Sequence, residues 1–199
     1  MGRSADGGKM TVFRFEDHPF WDFSLRIYGS EGVPSACIAL QERRGIDVNL
    51  LLFSAWIGES GRGVLAESDL ESALAATTAW NHDIVCALRV VRNRLKGGML
   101  PIPMERSDVL RKMILEIEVN SEHVEQITLA AVVTRPADSA LSAEQRGDDA
   151  LANVVAYFRR YGFTPDAEDA RQVSIVLDPA FPEIGRAALE AKCRASATV

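Results

Sequence analysis

Arg89, Arg92 and Lys96 are the residues best placed to do chemistry. Spacings of three and four put them on one helix face, near a helix end. Two guanidiniums and an ammonium gathered there bind a phosphate or a carboxylate, the guanidiniums in bidentate fashion. The same residues also complement the negative end of a helix. In an antiparallel hairpin, Glu116 and Glu118 reach the same level, so a solvated ion-pair network is the first expectation and an anion site the alternative. A second set, Gln41, Asp47 and Asn49, sits around one helix–helix corner. With Trp21, Tyr28, Trp56 or Trp80 it lines an aromatic-walled pocket. Helix capping and buried hydrogen bonds explain those three polar residues equally well.

Other combinations fall short of a site. His82 and Cys86 have metal-sharing i, i+4 spacing but no third or fourth ligand nearby in sequence, so no metal is expected. Glu116, Glu118, Glu122, His123 and Glu125 form an acidic cluster, read as an exposed face. A di-iron bundle wants Glu-x-x-His, and Asn120 stands where that glutamate belongs. The glycine-rich stretch Gly58–Gly63 lacks the Lys-Ser/Thr pair of a phosphate-binding loop. No Ser-His-Asp, Cys-His or nucleophile-elbow arrangement is legible. No catalytic residue or cofactor is assigned, and whether the chain is an enzyme stays open.

The elements that must position these residues are helices. Gly45 to Gly58 encloses the most apolar run, in which nearly every position from Val48 to Ile57 is apolar. Such a run is a helix surrounded by others. Its Leu-rich, β-branch-poor make-up favours helix over buried strand. Asp47 is its N-cap and Gly58 its left-handed C-cap. Upstream, one helix starts near Pro19 and a second at Pro34. Downstream, Ser68-Asp69-Leu70-Glu71 is a capping box. It opens a helix reaching Lys96, with Trp80, Ile84, Ala87, Leu88, Val91 and Leu95 as its core face. A long helix follows from about Asp108 to about Val133. Its heptad-spaced Leu110, Ile117, Val124 and Ala131, filled in by Met113, Ile114 and Ile127, pack back on the Ser68–Lys96 helix. Leu151, Val154, Val155, Phe158 and Tyr161 make another helical stripe. Helices over Asp166–Leu177 and Glu183–Arg194 complete the chain. The expected fold is an all-α, single-domain, multi-helix bundle with a long antiparallel helical hairpin. Its parts are a tail (1–16, with a short extended piece at Thr11–Phe15), a core (17–135), a linker or loop (136–149) and C-terminal helices packed on the core (150–199).

Composition bounds the function. A chain of 199 residues with 47% hydrophobic and 25% charged residues is ordinary for one globular domain. A net charge of −6 argues against nucleic-acid binding, which needs a basic face. Cys37, Cys86 and Cys193 are odd in number and far apart, neither a disulfide framework nor a paired zinc motif. No apolar run reaches the roughly 20 residues that span a bilayer. The N-terminus lacks the apolar segment of a secretory leader. A cytoplasmic protein without membrane contact is expected.

Phe20-Trp21-Asp22-Phe23-Ser24-Leu25 with Tyr28, Ala39-Leu40-Gln41, and Asp47-Val48-Asn49-Leu50-Leu51-Leu52-Phe53 with Trp56 form a distinctive series. Ala79-Trp80 and Leu88-Arg89-Val90-Val91-Arg92-Asn93-Arg94-Leu95-Lys96 continue it. Over about residues 19–130 the chain resembles an uncharacterised family of small proteobacterial proteins, catalogued as a domain of unknown function. It departs from the family pattern at Ala87, where members often carry proline. The resemblance implies no reaction.

With no catalytic motif, the first expectation is a non-catalytic interaction or regulatory module. It would carry an exposed apolar or charged patch and dock a protein partner or a second copy. The alternative is a protein or enzyme that binds a small anionic ligand where Arg89, Arg92 or Gln41 and Asn49 converge.

Overall fold

A computed structural model describes residues 15–98 and 100–196, and these are all-α. The N-terminal tail expected over 1–16 lies outside the described residues except for Phe15 and Glu16, as does most of its Thr11–Phe15 piece. The helices in chain order are α1 (Pro19–Tyr28), α2 (Val33–Arg44), α3 (Val48–Glu59), α4 (Glu67–Trp80), α5 (Ala87–Arg94), α6 (Met104–Ala130), α7 (Ala143–Arg160), α8 (Ala167–Leu177) and α9 (Arg186–Ser196). A π-helical turn, Asn81–Cys86, joins α4 to α5 without a break.

Helix α3 is the centre. Every residue from Asn49 to Gly58 is buried. Asp47 caps it as expected, Oδ1 accepting from the Asn49 N–H at 2.8 Å. Gly58 is not the C-cap. The helix runs on to Glu59, and Gly61, with φ +77°, makes the left-handed turn. Gly58 instead lets α7 approach: a Cβ there would stand 2.2 Å from the Ala150 backbone nitrogen. Leu151, Val154, Val155 and Phe158 of α7 are buried, as their stripe demands.

Several starts differ from expectation for local reasons. The N-cap of α4 is Ala66, not Ser68, because Asp69 Oδ2 accepts from the Ala66 N–H (3.0 Å) and is clamped by Arg135 (2.7 Å). Helix α6 begins at Met104, just after Pro103. Helix α7 begins at Ala143, inside the 136–149 stretch read as a linker. Ser142 and Gln145 cap it reciprocally, a Ser-x-x-Gln box that the alanine-rich surroundings obscured.

The α5–α6 hairpin is turned over relative to expectation. Leu110, Met113 and Ile117, read as core, are 48%, 53% and 52% exposed. Trp80, Ile84 and Val91 are likewise partly exposed, and Ala87 is exposed. Facing inward are Ser107, Glu118, Ser121 and Glu125, all buried. The acidic cluster read as an exposed face is therefore largely internal. Glu118, His123 and Glu125 are buried, Glu122 is half-buried, and only Glu116 is exposed.

Candidate functional site

Polar side chains fill the seam of the hairpin. Arg89 Nε donates to Glu118 Oε1 (3.0 Å) and Arg89 Nη2 to Glu122 Oε1 (2.7 Å). Arg92 Nε donates to Glu118 Oε2 (2.5 Å), and its Nη2 to Oε1 (3.2 Å). Both oxygens of the Glu118 side chain, 4% exposed, thus lie against guanidiniums that are themselves about a quarter exposed. Burial pushes the Glu122 carboxyl above its usual range, against the pull of Arg89. Of the basic set, Arg89 and Arg92 meet. Lys96 is exposed beyond the end of α5 and makes no ion pair among the described residues. Glu116, expected at this level, gives way to Glu122. Arg89 and Glu122 lie on the same side of the seam, and Glu116 points outward.

Below this layer lies a second polar group. Asn49 Nδ2 donates to Glu125 Oε2 (2.8 Å), and Gln126 Nε2 donates to Asn49 Oδ1 (2.7 Å). Asn81 Nδ2 reaches the same Glu125 oxygen at 3.2 Å, and Cys86 Sγ donates to Asn81 Oδ1 (3.4 Å). The wider π turn brings residues five apart, Asn81 and Cys86, onto one face, which an α-helix does not do. Tyr157 Oη accepts from the Asp47 N–H (2.9 Å) and donates to the Asp47 carbonyl (3.1 Å). Of the corner set, Asp47 and Asn49 belong to this network. Gln41 contributes its backbone carbonyl, which accepts from the Gly45 N–H (2.8 Å) and closes α2. Among the described residues no side-chain hydrogen bond joins Gln41 to Asp47 or Asn49.

The Asp47 and Glu125 carboxyl groups meet in this network. Asp47 Oδ2 and Glu125 Oε1 have no amide, ring or hydroxyl donor. A contact between two carboxyls is a hydrogen bond only when one is protonated. Burial, reinforced by the facing Asp47 charge, pushes Glu125 up to about 9, so the pair keeps a proton at neutral pH. Burial also raises Asp47, opposed by the Glu125 hydrogen bond and the first-turn N–H of Asn49.

The aromatic residues are dispersed. Trp56 is buried in the core against Phe20 (ring centroids 5.1 Å). Trp21 stacks on His123 at 4.0 Å, and burial lowers the His123 pKa. Trp80 Nε1 donates to the Ser121 carbonyl (3.0 Å). A surface hollow of about 410 Å³ runs between Pro19, Asp22, Arg26 and Trp56, and another of about 630 Å³ between Glu71, Thr78, His82 and Arg160. Neither opens onto Asp47 and Asn49. Among the described residues no three His, Cys, Asp or Glu side chains converge as metal ligands.

The partners missed in the sequence are Glu125, Gln126, Asn81 and Tyr157. Only the Glu125-Gln126 pair, polar at a point level with the α3 cap, offered a signal. Arg43 and Arg44, at the C-terminal end of α2, pair with Asp166 and with the fully buried Asp169.

On the outer side of the hairpin, apolar residues of both arms align. Val91 of one arm and Leu110, Met113 and Ile117 of the other lie on the same flank of the seam, by the 100° step of each α-helix, and Ile84 in the π turn is 38% exposed. At the tip, Leu100 is 96% exposed. This continuous apolar face is uncovered among the described residues. No helix among the described residues is long and apolar enough to cross a membrane.

A family model described as "Protein of unknown function (DUF2390)" matches residues 19–129, more than half of the chain. That span holds the capped central helix, the whole hairpin and its polar seam. No curated protein and no solved structure matches the chain.

Proposed function

We propose that the chain, which belongs to the DUF2390 family, is a non-catalytic interaction module that docks a protein on the outer face of its α5–α6 hairpin. One observation carries this reading. The hairpin fills its seam with charged and polar groups and leaves Val91, Leu110, Met113 and Ile117 outward, a face that water solvates poorly. Contiguous exposed apolar faces mark contact surfaces. The polar seam supports the same conclusion. Glu118 with its two arginines, and Glu125 with Asn49 and Asn81, hold the two arms at a fixed angle without using the apolar residues. The guanidiniums that would bind an anion are already occupied by Glu118 and Glu122.

Native mass spectrometry of protein purified gently from its own host tests the proposal. A protein complex is expected, of one kind of chain or two, and it should be lost in Ile117→Glu. A monomer retaining a small molecule, unchanged by Ile117→Glu, overturns it.

A further inference from the structure

We infer that the hollow between α1 and the end of α3 binds a small zwitterion of the α-amino-acid class, its carboxylate on Arg62 and its ammonium on Asp22. No residue of the hairpin lines this hollow, so the site is independent of the docking reading.

Arg62 is the residue that asks for a ligand. It follows α3 directly and is half-buried, with its guanidinium over the Trp56 indole, 4.6 Å from the ring centre. Among the described residues its side chain makes no ion pair and no hydrogen bond. Each of the other three arginines at this end of α3 is engaged. Arg26 holds Glu59 (3.1 Å) and the Pro179 carbonyl (3.3 Å), Arg135 holds Asp69, and Arg146 donates to the Glu59 carbonyl (3.2 Å). A guanidinium drawn partly out of water without a counter-charge is costly, and the indole face offsets only part of that cost. Stacking occupies the face of a guanidinium and leaves its N–H edge for a carboxylate. The positive field is felt locally. Burial and then Arg62 lower the pKa of His18, against the opposite effect of Asp22.

The charges of the hollow decide the class of ligand. Two cations, Arg26 and Arg62, and two anions, Asp22 and Glu59, line it. Arg26 and Glu59 pair with each other. Arg62 and Asp22 are left over, one from the turn after α3 and one from α1, and they do not pair across the space between them. A phosphate would set a double negative charge among the two carboxylates. A molecule with one carboxylate and one ammonium satisfies both unpaired groups and adds no net charge. Pro19, Phe23 and Trp56 supply apolar wall, and about 410 Å³ is within the range of small-molecule sites. An apolar side chain on the zwitterion fits that wall.

Isothermal titration calorimetry of the full chain at pH 7 tests the site with three probes. Phenylalanine carries both charges, 3-phenylpropionate only the carboxylate and phenethylamine only the ammonium. Circular dichroism checks that each variant is folded. Phenylalanine should bind saturably, with each single-charge probe weaker by about tenfold. Arg62→Gln should weaken phenylalanine by about tenfold and leave phenethylamine unchanged. Asp22→Asn, at an exposed position, should weaken phenylalanine several-fold and leave 3-phenylpropionate as tight or tighter. No saturable binding of phenylalanine below about 10 mM overturns the site. Binding that neither substitution moves lies elsewhere on the protein and overturns it as well. If 3-phenylpropionate binds as tightly as phenylalanine and Asp22→Asn is neutral, the zwitterion is overturned in favour of a simple anion. Should Arg62→Gln fail to fold, Asp22→Asn with the two single-charge probes still decides between these outcomes.

Discussion

Ile117 and Glu118 are adjacent in the chain and face opposite environments: the isoleucine is 52% exposed and the glutamate 3%. That reversal organises the outer half of the hairpin. Glu118 stays inside because Arg89 and Arg92 reach it from α5, and Ile117 is outside because the seam is already filled.

The double variant R89A/R92A should be strongly destabilised. It leaves Glu118 buried with no cation, and breaking such a pair costs about 3–5 kcal/mol. Urea unfolding at pH 7 measures this. A loss below about 0.5 kcal/mol, typical of a solvated surface pair, would contradict the burial of Glu118. A further variant, Glu118→Met in the same background, should regain much of the loss.

Stability should fall as pH rises toward 9, through Glu125. Its folded-state pKa of about 9 lies above the ordinary glutamate value of 4.5. Below the lower value both folded and unfolded chains hold the proton, and the contribution is fully present. Between the two, the unfolded chain releases the proton and the folded chain keeps it, so stability declines with pH. Glu125→Gln keeps a donor facing Asp47 and removes the titration. The difference in unfolding free energy between wild type and variant should therefore shift in favour of the variant from pH 5 to pH 9. A difference that stays flat over that range refutes the shared proton.

Gly58→Ala should weaken the α3–α7 contact despite alanine's higher helix propensity. The new Cβ would sit 2.2 Å and 2.5 Å from the Ala150 backbone nitrogen and Cα, so one helix must move. Overpacking of this kind costs about 1–3 kcal/mol. Guanidinium denaturation reads it, and a stabilised variant would mean that the helices do not cross at Gly58.

Trp56→Ala should cost about 3–5 kcal/mol, the range for a large aromatic removed from a core. Polar replacement of the outer face, as in Met113→Gln, should alter the unfolding of the monomer by no more than about 0.5 kcal/mol. Equal losses at the two sites would place Met113 in the core after all.

Much of the fold was legible in the residues themselves. The apolar run over Val48–Ile57, the cap at Asp47, the glycine at 45 and the stripe from Leu151 to Phe158 are local signals of 3.6-residue periodicity and punctuation, and the described residues follow them. Both arms of the hairpin were readable in the same way. Val91 and the apolar stripe of α6 do share one flank, but periodicity says only which residues lie together on a helix. Which flank meets the neighbour depends on partners far away in sequence. Arg89 and Arg92 find Glu118 across the turn, and Asn49 finds Glu125 and Gln126 some 76 positions on. A charged group enters an interior only when its counter-charge arrives with it. Those meetings are created by the crossing of α3, α5 and α6, and they turned a stripe with the pattern of a core into an outer face.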